Sequence, residues 1–145
     1  MTPEPAGRAL AVDLGSRRVG VAVSDGARTL ALPRPAIERS GHHDEDHRRI
    51  AALAEEASVS VVVVGLPLSL DGRRGPAARA AEAEAAELRR LLDAQGVEVV
   101  TYDERLTTVS AHAALAVAGK DSRRRRSVVD SASAAVLLQA WMDRR

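Results

Sequence analysis

A chain of 145 residues, 46% hydrophobic and 28% charged, with a formal net charge of +1, has the composition of an ordinary globular domain and is long enough to bury about 68–70% of the surface its unfolded chain would expose. No stretch approaches the roughly 18 apolar residues of a spanning helix, and MTPEPAGR lacks the basic start and apolar run of a secretory leader; a cytoplasmic protein with no membrane partner is expected. The absence of cysteine excludes disulfides, thiolate catalysis and Cys-ligated zinc together, and leaves oxygen or imidazole for any metal.

Residues 1–7 are expected to form a flexible tail on one domain that spans residues 1–145. ALAVDL and VGVAVSD then read as two strands joined through GSRR, a hairpin turned by Gly15, with Val19, Val21 and Val23 alternating on one face. TLALPRPAI (29–37) adds a third strand, which Pro33 and Pro35 confine to an edge. Asp44, Glu45 and Asp46 suit the first turn of a helix whose apolar stripe is Ile50, Leu53, Ala54 and Ala57. His43 and His47 stand four apart here, but without a third histidine they read as exposed surface rather than as metal ligands.

VSVVVVGLPL (59–68) is apolar on both faces, the pattern of an interior strand covered on both sides. An Ala-rich helix follows over 77–95, led by Pro76, stopped by Gly96, and carrying Ala81, Ala85, Leu88 and Leu92 on one face. VEVVTY returns as a strand, and helices near 107–117 and 127–143 close the chain. The order β-β-β-α-β-α-β-α-α predicts an α/β fold with a mixed sheet and helices on both faces.

Three carboxylates fall at element ends. Asp13 closes the first strand in DLG, where the glycine lets backbone approach a phosphate and the carboxylate can hold a divalent ion; alone, an Asp before a Gly is more often a turn residue. Glu104 follows the VEVVTY strand at the carboxyl edge where α/β sheets place ligands, although its charge would also favour the next helix start. Asp130 lies on or beside the apolar face of the last helix; Ser127 and Asp130 also fit the SxxD form of a capping box. Taken together, and with no thiolate available, the three can form an oxygen cage for Mg²⁺ or Mn²⁺ of the kind that serves phosphodiester hydrolysis.

Lys120 and Arg123 to Arg126 set five positive charges against Asp121 within seven residues. The run reads as a solvated loop or as a contact for an anionic partner. With Tyr102 and Trp141 the only aromatics, base stacking is poorly provided for, and bound nucleic acid would be held through its phosphates. AGKDS (118–122) is not a Walker loop, because Ala114 stands where the leading glycine belongs and Asp121 follows the lysine. Neither His112 nor Ser24 has the partners of a hydrolase triad.

ALAVDLGSRRVGVAVSD, VVVVGLPLSLDGRRGPAA, VVTYDERLTTVSAHAAL and VVDSASAAVLLQAW together resemble the YqgF family, also called RuvX, of bacterial RNase H-like nucleases, with similarity from residue 8 to residue 142. The resemblance implies a ribonuclease H-like fold and divalent-metal dependence. It implies either 5′-end maturation of pre-16S ribosomal RNA or Holliday junction resolution on branched DNA. It also implies an acidic centre of Asp13, Glu104 and Asp130, with Asp103 a neighbouring candidate. Gly15, Arg105, Lys120, Arg123, Arg124, Arg125 and Arg126 are the candidate nucleic-acid contacts. GLPLSLDG carries no carboxylate at its start, whereas some junction resolvases of this fold do, which makes a junction-cutting role less secure; structured RNA is the first choice and branched DNA the second, since both carry dense phosphate charge. A non-catalytic RNA-binding module for ribosome assembly is the remaining alternative, and monomer and homodimer stay open. DLGSRRVG also resembles the first phosphate loop of the actin and hexokinase superfamily, whose members bind nucleotide between two such domains.

Overall fold

Two runs of alternating small and branched residues form the hairpin that opens the chain. β1 (Arg8–Leu14) and β2 (Arg18–Ser24) pair antiparallel, with Asp13 opposite Gly20. The computed structural model describes residues 7–69, 71–105 and 131–144; the helix expected near 107–117, Asp130 and the basic run lie outside them. β3 (Ala31–Glu38) pairs antiparallel with β2, its two prolines tolerated because it is an edge strand. α1 (His43–Glu56) leads into β4 (Val59–Leu66), then α2 (Pro76–Asp93) into β5 (Glu98–Asp103), and α3 (Ala132–Asp143) ends the described chain. β4 runs parallel to both β1 and β5, giving the order β3-β2-β1-β4-β5.

The valine-rich β4 is interior, as its two apolar faces require. On one face Leu10, Val12, Val62, Val64 and Val99 pack against Ile50 and Ala54 of α1 and Leu88 and Leu92 of α2. On the other, Ala9, Ala11, Ala22, Val61 and Val63 meet Leu137, Leu138 and Trp141 of α3. The small alanines let that last helix lie close to the sheet.

Two expectations need correcting. α3 begins at Ala132 with Ser131 at its N-cap, later than the predicted start at 127. His47 is not on the surface: it is 3% exposed, with Nε2 at 2.8 Å from Glu84 Oε1 and Nδ1 at 3.2 Å from Glu87 Oε2. Both ring nitrogens are taken by carboxylates of α2, which is why a histidine between acidic neighbours can turn inward and also why it is no metal ligand. Among the described residues no helix is long and apolar enough to cross a membrane.

Candidate active site

Side chains on a strand alternate between faces with period 2, and this places three positions on the face that α3 covers. Asp13 continues the series Ala9, Ala11; Gly65 continues Val61, Val63; Glu104 continues Val100, Tyr102, one residue past β5. β1, β4 and β5 are neighbours, and all three positions lie at the carboxyl ends of parallel strands. A glycine in the middle one leaves room for the outer two to meet. A Cβ at Gly65 would stand 3.0 Å from both Cγ and Cδ of Glu104 and closer still to Oε1, so the Glu104 side chain lies across the space a larger residue would fill.

The Glu104 carboxyl reaches Asp13 and hydrogen-bonds to it. Burial pushes the Glu104 pKa up, the shared hydrogen bond and the charge of Asp13 push it further, and Asp103 adds to the repulsion, so that it stands at about 8. At neutral pH without a cation, Glu104 is therefore largely protonated and donates to the Asp13 carboxylate.

Gly15 turns the chain directly after this acid. Its N–H donates to the carbonyls of Asp13 and Arg18, both at 3.0 Å, and a Cβ there would lie 2.6 Å from the Arg18 oxygen. Only glycine fits that turn. Its carbonyl accepts from Arg39 Nε at 2.9 Å, and the same guanidinium donates to both Glu84 oxygens at 2.7 and 2.9 Å and approaches Asp46 at 3.5 Å. Burial raises the Glu84 carboxyl, but the Arg39 and His47 hydrogen bonds outweigh it and hold it below the usual range. Burial likewise raises Asp46, and hydrogen bonds from Ser40 and Arg39 outweigh it. The turn after Asp13 is thus tied through one half-buried arginine to both helices of the opposite face.

Asp103 does not join the pair. By alternation it faces away from Glu104, and its carboxylate accepts from the Arg105 backbone at 2.9 Å and from the Arg105 guanidinium at 2.6 to 3.1 Å. That fork lowers the Asp103 pKa and engages Arg105, whose guanidinium also stands over Gly72 in the β4–α2 loop. Among the described residues no three His, Asp or Glu side chains gather as a metal set; Asp13 and Glu104 make a pair. Asp130, Lys120 and Arg123 to Arg126 lie outside the described residues, as does Ser127 of the possible capping box. Gly65 and Arg39 were missed by sequence reasoning. A glycine inside a strand marks close approach, so Gly65 had a signal, whereas nothing local distinguishes Arg39.

The mixed five-stranded sheet with helices on both faces is a ribonuclease H-like fold. The structure is similar to "T. thermophilus RuvC in complex with Holliday junction substrate" (TM-score 0.58, 14% identity, covering 92% of this chain and 91% of that one). It is also similar to the yeast mitochondrial Holliday junction resolvase Ydc2 (TM-score 0.56, 11% identity, 95% and 78%). The family model described as "RuvX: Holliday junction resolvase" matches residues 7–144, and the chain belongs to that family. A Rhodococcus opacus protein named "Putative pre-16S rRNA nuclease" is 45% identical over 142 residues, covering 96% of this chain and 79% of the relative. One of the same name from Halalkalibacterium halodurans is 38% identical over 139 residues, covering 95% and 97%.

Proposed function

We propose that this chain is a cytoplasmic, divalent-metal-dependent nuclease that hydrolyses phosphodiester bonds of structured RNA, with the 5′ end of pre-16S ribosomal RNA as its substrate. The observation that carries this reading is the contact between Asp13 and Glu104. Two acids are held together at the ends of β1 and β5, the strands that flank β4, with one kept protonated by burial and by the other, an arrangement that a bound cation would relieve. The relatives' shared name directs the reading to ribosomal RNA.

The donor set fits a hard cation: two carboxyl groups, no thiolate, and Asp130 as the third expected ligand. Mg²⁺ or Mn²⁺ bound there would polarise a phosphoryl oxygen and acidify a water. The chain's own residues prepare for it. Asp13 and Glu104 would hold the ion, with Glu104 in its deprotonated form. Gly65 keeps open the space in which its carboxylate turns. Gly15, fixed by Arg39, presents backbone next to Asp13 where a phosphate can approach without a side chain between.

A second reading, cleavage of branched DNA, is favoured by the family description and by the resolvase fold. Matched assays separate the two: a 5′-extended 16S precursor and a four-way DNA junction, each with Mg²⁺ or Mn²⁺, incubated with wild type and Asp13→Asn. Metal-dependent cleavage of the RNA that Asp13→Asn abolishes is the expected result. Cleavage confined to the junction moves the substrate to DNA. Tight RNA binding with no cleavage of either substrate turns the reading into a non-catalytic assembly module.

A further inference from the structure

Asp103 ends β5, and Arg105 stands on the other side of Glu104 from it. Across that one residue, Asp103 Oδ1 accepts the Arg105 backbone N–H at 2.9 Å. An aspartate that bonds a backbone N–H two residues on closes a turn about the residue between, and here that residue is Glu104. The Arg105 guanidinium folds back on the same carboxylate, with Nε at 3.1 and 2.9 Å from its two oxygens and Nη2 at 2.6 Å from Oδ2. One side chain thus takes both the backbone and the guanidinium of Arg105.

The β4–α2 loop is shaped to receive this bracket. Two glycines lie against two consecutive side chains: a Cβ at Gly65 would meet Glu104, and one at Gly72 would stand 3.4 Å from Arg105 Nη1. Gly72 has φ +82°, a conformation that glycine adopts without strain. Beside it, the charge of Asp71 attracts the Arg105 guanidinium.

We propose that Asp103 is a positioning residue for the carboxylate centre and not a ligand within it: its bond to the Arg105 N–H sets the turn at Glu104 and so aims the Glu104 carboxyl over Gly65 at Asp13. A long side chain magnifies any change in the backbone that carries it, and a displacement of about 1 Å can cost about 100-fold. Asp and Asn close such a turn, whereas glutamate, longer by a methylene, is not built for it. The inference rests on the reading of Asp13 and Glu104 as the metal-binding acids.

The test compares wild type, Glu104→Gln, Asp103→Ala, Asp103→Asn and Asp103→Glu in the full chain. It measures thermal midpoint, Mn²⁺ binding by calorimetry, and kcat and KM with Mn²⁺ on whichever of the 16S precursor and the DNA junction wild type cleaves. Mn²⁺ affinity carries the test even where neither is cleaved. Asn keeps the acceptor for the Arg105 N–H and gives up the charge; Glu keeps the charge, gives up the turn, and covers the case in which alanine fails to fold. Loss of an outer contact to a metal site costs about 10- to 100-fold in metal affinity or activity. That loss in Mn²⁺ affinity and kcat, with KM unchanged, is expected for Asp103→Ala and Asp103→Glu, and Asn should recover most of it. Wild-type Mn²⁺ affinity and kcat in folded Asp103→Glu, while Glu104→Gln is impaired, would overturn the Asp103 inference alone. So would an Asn variant as impaired as Glu or Ala, since the charge would then be what matters. Absence of Mn²⁺ binding by wild type, or an unimpaired Glu104→Gln, would overturn the underlying reading and the inference with it.

Discussion

The carboxyl group of Glu104, one residue past β5, hydrogen-bonds to Asp13 at the end of β1 across the whole width of β4, and Gly65 is the residue that leaves it room. Gly65→Ala should therefore separate the two acids without unfolding the sheet, because the atoms a new methyl meets belong to a side chain that can move. Misplacing a reacting group by about 1 Å can cost about 100-fold, and a loss of that order in metal-dependent cleavage is expected. Circular dichroism should stay at wild type. Full activity in Gly65→Ala would mean that the contact plays no part in the chemistry.

Glu104 also sets how the metal-free protein responds to pH. Its folded pKa of about 8 lies above its ordinary value of 4.5, so the folded state binds more protons than the unfolded one between those values. Its contribution is fully present below the unfolded pKa and is lost as pH rises through 8. With chelator present, the thermal midpoint should fall from pH 5 to pH 8, and Glu104→Gln should flatten that fall. At about 1.4 kcal/mol per pKa unit, discounted for solvent screening, a gain of about 1–2 kcal/mol at pH 8 is expected for Glu104→Gln. A variant less stable than wild type at pH 8 would show that the acids do not repel.

Arg39 gives the opposite dependence. Glu84 and Asp46 both have lowered pKa values through hydrogen bonds that include Arg39, so their contribution is present above the unfolded carboxylate range and is lost as pH falls through the folded values. Arg39→Met leaves both acids buried without their cation, and breaking such a set costs about 3–5 kcal/mol. Urea denaturation at pH 7 measures it. Lys at this position cannot reproduce the two-pronged contact, so Arg39→Lys should fall between. A loss below about 0.5 kcal/mol for Arg39→Met, as for an ordinary surface substitution, would show that the network contributes little.

Replacing Arg123 to Arg126 by alanine tests the basic run directly. If two to four phosphates are neutralised there, the dependence of log affinity on log salt should flatten by roughly 2 to 4 units on a duplex arm. The loss should not depend on base sequence, because phosphate contacts position without specifying. An unchanged slope returns the run to a solvated loop.

Much of this fold was legible because one-dimensional periodicity carries it: the hairpin of β1 and β2, the edge strand with its prolines, the doubly covered β4 and the α2 face all follow from alternation or helical spacing. Asp13 and Glu104 could be singled out from their positions at strand ends. Their contact could not, since it depends on β4 lying between β1 and β5 and on the face to which residues 13, 65 and 104 point. His47 was misread because its acidic neighbours suggested water, whereas the partners that bury it, Glu84 and Glu87, come from a helix 37 or more residues away. Arg39 acts through equally long-range contacts that leave no local pattern.

The most direct test is the titration of the Glu104 carboxyl followed by ¹³C NMR, with and without Mg²⁺. Without metal it should titrate near 8, and in Asp13→Asn it should fall toward the ordinary carboxylate range. Saturating Mg²⁺ should lower it, because a cation held by these acids would compete with the proton on Glu104. A Glu104 that titrates near 4.5 without metal and is indifferent to Mg²⁺ would contradict the assignment of the Asp13–Glu104 pair as a metal centre.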